Sequence, residues 1–204
     1  MRQSSTSVVT ILLVVLNVLG FVFNIYKNGI GVIFGKVSPK DLLSVGGMTT
    51  DTGYVSWITS MFQHGSGMHI LLNMLALISI APAVVLLYNQ FGYLVGYLIA
   101  GLVGSYSNVL FTDNATVTVG ASGAIFGMMG MLLIGAVLSS KRSYIDFKSV
   151  ASGVVVMLFN TFLIPGISIS GHLGGLVGGV IIGFILIMIQ KLFTRNEHRQ
   201  EFEN

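Results

Sequence analysis

The sequence predicts an all-α membrane protein, a bundle of six transmembrane helices with a long loop between the first and second. Three observations carry this. The chain is 53% hydrophobic and only 8% charged, against about a quarter charged in soluble domains, and its mean hydropathy is +0.87. Six apolar stretches each approach the length that crosses a bilayer, about 20 residues as a helix. Glycine accounts for 26 of 204 residues, well above the usual share of about 7%. In lipid, burying apolar surface gains little, so small residues that bring backbones together hold helices to one another.

The first span is expected at about Val8 to Tyr26. It is too long for the core of a cleaved signal peptide and is closed by no small-residue cleavage site, so it reads as a retained helix. Asn17 and Asn24 within it read as packing or interfacial groups. The stretch from Lys27 to Gly67 mixes Lys36, Lys40, Asp41 and Asp51 with Phe34, Trp57, Met61 and Phe62. It cannot span, and its blend of charged and aromatic groups suits a structured loop at the membrane interface.

Five further spans are expected at about 69–87, 92–111, 122–138, 149–164 and 171–190. Tyr88-Asn89-Gln90, the polar stretch Thr112 to Thr118, Lys141-Arg142 and Pro165-Gly166 mark the connectors. An even number of spans puts both termini on one side. Arg2, Lys141, Arg142, Lys148, Lys191, Arg195 and Arg199 fall on that side, against Lys27, Lys36 and Lys40 on the other. The positive-inside rule therefore predicts cytoplasmic termini. Residues 1–190 read as one membrane domain and 191–204 as a polar cytoplasmic tail in which His198 has no special role.

Cysteine is absent, which excludes disulfides, thiolate metal sites and a cysteine nucleophile. The net charge of +3 is dispersed, giving no support to nucleic-acid binding. No Asp or Glu falls within a predicted span. That argues against an aspartyl protease and against a proton-coupled transporter, while the lack of His-Glu-x-x-His argues against a metalloprotease. The polar candidates left within the membrane are His69, Asn73, Ser122, Asn160 and His172.

These residues can meet. His69 and Asn73 open the second span, Ser122 the fourth and His172 the sixth, and all three spans run inward from the outer face. Polar groups converging in an apolar bundle are the default site. A serine hydroxyl needs a neighbouring base to become a nucleophile, and neutral imidazole is suited to that task. Ser122 is the candidate nucleophile and His172 its general base, a dyad without a carboxylate. Ser122 lies at a helix start, where unpaired backbone N–H groups can face a developing oxyanion. His69 and Asn73, four residues apart, share a helix face and can donate to the same oxygen. Asn160 is expected to make an interhelical hydrogen bond, and His64 to support the loop.

Taken together the motifs resemble those of the rhomboid intramembrane serine proteases. His64-x4-His69-x3-Asn73 is similar to the second-span signature of that family. Gly120-Ala121-Ser122-Gly123 is similar to its nucleophile motif, and Gly171-His172-Leu173-Gly174-Gly175 through Gly178-Gly179 to its base motif. It is not the nucleophile elbow of α/β hydrolases, because Ala124 stands where that motif has its second glycine.

The resemblance spans about Val8 to Gln190. It implies a rhomboid-like bundle whose first outer loop lies in the interface, and cleavage of transmembrane protein substrates near their outer ends. Ser122 and His172 would be catalytic, with His69, Asn73 and the Ser122 backbone as oxyanion donors. Gly120, Gly123, Phe126, His64, Trp57, Gly175 and Gly179 would support the site. Membrane lipid and substrate are the partners implied, with no cofactor and no metal, in a multi-pass protein of the plasma membrane. The family often has Trp-Arg in the first outer loop, where Trp57 is followed here by Ile58. It often has tyrosine four residues after the nucleophile, where Phe126 offers a stacking ring without the hydroxyl. The alternatives are an inactive family member that binds transmembrane segments, and a channel or transporter using His64, His69 and His172 as a polar path or metal site.

Overall fold

The structure, a computed structural model, describes residues 7–112, 116–163 and 166–203, with side chains as far as residue 193. Arg2, Pro165, the middle of the connector at 113–115 and the side chains of Arg195, His198 and Arg199 lie outside the described residues. Within them the α-helices are α1 Val8–Asn28, α2 Pro39–Ser44, α3 Tyr54–Thr59, α4 Gly67–Phe111, α5 Ser122–Leu138, α6 Phe147–Leu163 and α7 Ile169–Glu203. Three helices contain stretches long and apolar enough to cross a membrane: Val8–Asn28, Gly67–Phe111 and Ile169–Phe193.

Ser7 caps α1 by accepting from the Thr10 N–H, which satisfies one of the four orphan donors at a helix start. One side of α1 buries Thr10, Leu13, Asn17 and Asn24. The rest, including Ile11, Leu12, Val15 and Leu19, exposes apolar side chains, as a lipid-facing helix does.

The 45-residue α4 is continuous in outline but contains one non-helical residue, Asn89, at φ 58°. With ψ at −178° it lies outside the left-handed helical well, in backbone that residues with a side chain rarely adopt. Its Oδ1 then accepts from the N–H groups of Phe91 and Gly92, capping the second limb. The expected three-residue connector thus shrinks to one residue. The limbs, 67–88 and 90–111, fold back on each other. A straight helix would hold residues 69 and 108 about 58 Å apart, yet both line one cavity.

At the centre stands α5, which buries ten of its residues from Ala124 to Gly135 on all sides. It meets α7 through glycine. An added Cβ at Gly175 would overlap the Gly123 carbonyl, and one at Gly179 the Gly127 carbonyl. Gly127 and Gly130 of α5 face the Gly175 and Leu176 carbonyls in return. Backbone lies against backbone, the close approach that small residues allow in membrane helices. Tyr88, at the end of the first limb of α4, is fully buried and donates from its hydroxyl to the Met131 carbonyl of α5.

The segment between α1 and α4 is compact. Ser38 and Asp41 form a reciprocal capping box on α2. Asn28 of α1 donates to the Asp41 carbonyl and Asn24 to the His64 carbonyl. Met48 pairs with Thr118 in an isolated bridge, and the Gly120 N–H donates to the Ser60 carbonyl. These ties fasten the loop to the chain segment that leads into α5.

Candidate active site

Gly120 precedes α5 at φ 126°, a conformation that side chains rarely adopt. An added Cβ there would sit 2.8 Å from His69 Nε2 and 3.7 Å from Ser122 Oγ. Glycine at this position therefore lets the His69 ring come in beside the serine. α5 starts at Ser122 with no side-chain cap on its first turn, leaving the positive end of the helix dipole at the serine.

His172 lies in the first turn of α7 and is buried, 7% exposed. Its Nε2 is 2.7 Å from Ser122 Oγ, across helices that are 50 residues apart in sequence. Phe126, one turn into α5, stacks on the imidazole with ring centroids 4.2 Å apart and planes at 20°. On the other side of the ring, Nδ1 lies 2.7 Å from Thr161 Oγ1 of α6. The imidazole is thus held at both nitrogens and along a face. Gly171, its neighbour, is packed so that an added Cβ at Gly104 of α4 would come 2.7 Å from its carbonyl oxygen.

His69 and Asn73 enter from α4. The Ser66 hydroxyl caps the helix by accepting from the His69 N–H. Asn73 donates one amide proton to the His69 carbonyl, which leaves its other for a ligand. Both line a cavity of about 1530 Å³ shared with Ser122 and His172. His64 lies behind His69 in the loop, its ring T-shaped to that of His69 at 4.9 Å. It is fully buried, and among the described residues neither ring nitrogen has a hydrogen-bond partner. Burial, and secondarily the neighbouring His69, push it down to about 3, so it stays neutral.

Of the other candidates, Gly123, Gly175 and Gly179 belong to the α5–α7 contact. Trp57 packs edge-on against Tyr54 and tilted against Tyr106, and its carbonyl accepts from Ser105 Oγ of α4. One expectation is corrected. Among the described residues Asn160 has no interhelical hydrogen-bond partner; it is exposed and lines the cavity. Its neighbour Thr161, about 100° around the helix, carries the bond to α7 instead.

Two features had no signal in the sequence reading. Thr161 is one, a threonine in an apolar helix. The other is a knot of small polar groups at the cavity margin. There Asn108 Oδ1 accepts from the hydroxyls of Ser168 and Ser170, and Ser170 also meets Thr112. The knot ties the end of α4 to the start of α7.

A half-buried serine and a buried histidine in hydrogen-bond contact, where three helices meet beside a cavity, define a polytopic membrane protein with a candidate Ser-His centre. The sequence profile of the rhomboid domain matches residues 51–189, and the chain belongs to the rhomboid family. It is 35% identical over 126 residues to the rhomboid protease GluP of Bacillus subtilis (strain 168), covering 60% of this chain and 24% of that protein. It is 35% identical over 138 residues to RHOMBOID-like protein 7 of Arabidopsis thaliana, covering 64% of this chain and 42% of that one. Against rhomboid-like protease 5 of Toxoplasma gondii it is 31% identical over 170 residues, 76% of this chain and 19% of that protein. The chain thus spans less than half the length of each of these relatives.

Proposed function

We propose that the chain is an intramembrane serine endopeptidase that hydrolyses transmembrane segments of membrane proteins near their outer ends. The 2.7 Å contact between Ser122 Oγ and His172 Nε2 carries this reading. In it, Nε2 takes the hydroxyl proton as Oγ attacks the scissile carbonyl carbon. The carbonyl oxygen becomes an oxyanion facing the Ser122 N–H, the His69 ring and the free Asn73 amide proton. As the intermediate collapses, the C–N bond breaks and His172 gives its proton to the leaving amine. A water molecule, deprotonated by the same nitrogen, then attacks the acyl carbon; the bond from that carbon to Oγ breaks, His172 returns the proton to Oγ, and the carboxylic acid leaves with Ser122 regenerated.

The six helical segments, α1, the two limbs of α4, and α5 to α7, would each cross the bilayer. Both termini would be cytoplasmic, with 1–190 as the membrane domain and 191–204 as the tail, in the plasma membrane. The loop of α2 and α3 would lie at the outer interface. Although α5 and α6 have 17 residues each and reach only about 25 Å, the bilayer can adapt to short spans. The cavity would admit both substrate and water to the serine.

The test is cleavage of a reporter transmembrane substrate in liposomes. Ser122→Ala and His172→Ala are each expected to remove activity, and a fluorophosphonate to label Ser122 in the unmodified protein. Undiminished cleavage by both variants would overturn the reading.

A further inference from the structure

We propose that Thr161 of α6 is a positioning residue for the base, fixing the tautomer of His172 that can accept the serine proton. The proposal rests on the Ser122–His172 reading above.

It follows from counting protons along one line of contacts. Thr161 Oγ1 lies 2.9 Å from the Met157 carbonyl oxygen and 2.7 Å from His172 Nδ1. A carbonyl oxygen can only accept, so the hydroxyl proton belongs to that first contact. The hydroxyl has no second proton to give, and its oxygen therefore accepts at the second contact. Nδ1 must then carry the ring proton. In neutral imidazole that leaves Nε2 with its lone pair, aimed at Ser122 Oγ 2.7 Å away. Each donor has one acceptor: Ser122 O–H to Nε2, Nδ1–H to Thr161 Oγ1, and Thr161 O–H to the Met157 carbonyl.

When Nε2 takes the serine proton, the imidazolium formed already has an oxygen accepting at Nδ1. A neutral hydroxyl backed by a helix carbonyl thus does the orienting task that a carboxylate does in soluble serine hydrolases. Thr161 is placed to do so, since it is 3% exposed and α6 otherwise buries only Val154. The contact with His172 is accordingly one of few that hold α6 to the site.

Thr161→Val keeps the shape and removes the hydroxyl. In the liposome cleavage assay kcat is expected to fall about tenfold, the order found when a buried donor loses its acceptor, with KM within about twofold. Fluorophosphonate labelling of Ser122 should slow by a similar factor. Thr161→Ser, which restores the hydroxyl, should recover most of both rates. A valine variant with undiminished kcat, or a serine variant as slow as valine, overturns the proposal. A third readout needs no variant to fold: nitrogen-15 NMR of the unmodified protein should show His172 protonated at Nδ1, and a resting Nε2–H tautomer refutes it. Ser122→Ala in the same assay separates the two levels. Cleavage that survives it removes the dyad itself, whereas its loss beside an unaffected Thr161→Val removes only the role of Thr161.

Discussion

Gly104→Ala perturbs the site without touching either member of the dyad. Gly104 is on the second limb of α4, and a Cβ there would lie 2.7 Å from the carbonyl oxygen of Gly171, the residue before His172. Ordinary contact begins near 3.4 Å, so about 0.7 Å must be found between two backbones. Neither side can yield by rotating a side chain, because the atom in the way is a carbonyl within the first turn of α7. The start of that helix must move, and His172 with it. A misplacement near 1 Å can cost about 10²-fold in rate, so a kcat loss of between about tenfold and a hundredfold is expected. Overpacking should also cost about 1–3 kcal/mol of stability. Reporter cleavage in liposomes gives the first quantity and thermal unfolding in detergent the second. Gly53→Ala is the control, since nothing lies within 4 Å of an added Cβ there. If Gly104→Ala kept both the kcat and the unfolding temperature of the unmodified protein, the close backbone packing would not be what sets the position of His172.

Further outcomes follow from individual contacts. Asn73→Ala removes a donor from the oxyanion side, and kcat should fall about 10²- to 10³-fold with KM little changed. Phe126→Leu removes the ring stacked on His172 at 4.2 Å; if the stack is worth about 0.5–1.5 kcal/mol, kcat should fall between about twofold and twelvefold. Asp146 accepts from the Ser149 hydroxyl and N–H and from the Lys148 N–H before α6. These bonds hold its carboxyl below the ordinary 3.8. Its contribution is therefore present above pH 3.8 and lost as pH falls through the lowered value. The stability gap between the unmodified protein and Asp146→Ala should stay constant near neutrality and close in acid, as measured by unfolding across pH.

Apolar length gave away the helices because a membrane leaves a chain few other options. Their bounds were harder to read where a side chain overrides the pattern. Asn89 caps its own helix, so α4 resumes at once where a three-residue connector was expected. Hydropathy changes at Lys191, while α7 runs on as helix through Glu203. Within the site, Ser122, His172, His69 and Asn73 stand out because a polar group in lipid is costly and so informative. Thr161 does not, since threonine bonds readily to its own helix carbonyl, and in Asn160-Thr161 the larger amide draws the eye. Only the register of α6 against α7 decides which of the two faces His172. The ties that hold the loop, from Gly120, Ser105 and Asn24, end on the backbone carbonyls of Ser60, Trp57 and His64, which no residue letter encodes.

Among the described residues no carboxylate stands behind His172, and on the proposed reading this has a physical account. An ionised Asp at this depth would need its own partners to offset desolvation, and removing any one would leave a buried charge unpaired. The site orients its imidazole with neutral contacts instead: a stacked ring from α5, a hydroxyl from α6, and backbone packing from α4 and α5 against the start of α7. Each is individually weak, and together they draw on three helices. Orientation is then a property of the assembled bundle, which is why glycine is required where carbonyls abut, at Gly104, Gly175 and Gly179. It also follows that these contributions should not add independently. Loosening α7 with Gly104→Ala lengthens the Thr161 contact as well, so the double variant with Thr161→Val should lose less activity than the product of the two single losses. Multiplicative losses would mean instead that helix packing and the Thr161 hydroxyl act on His172 separately.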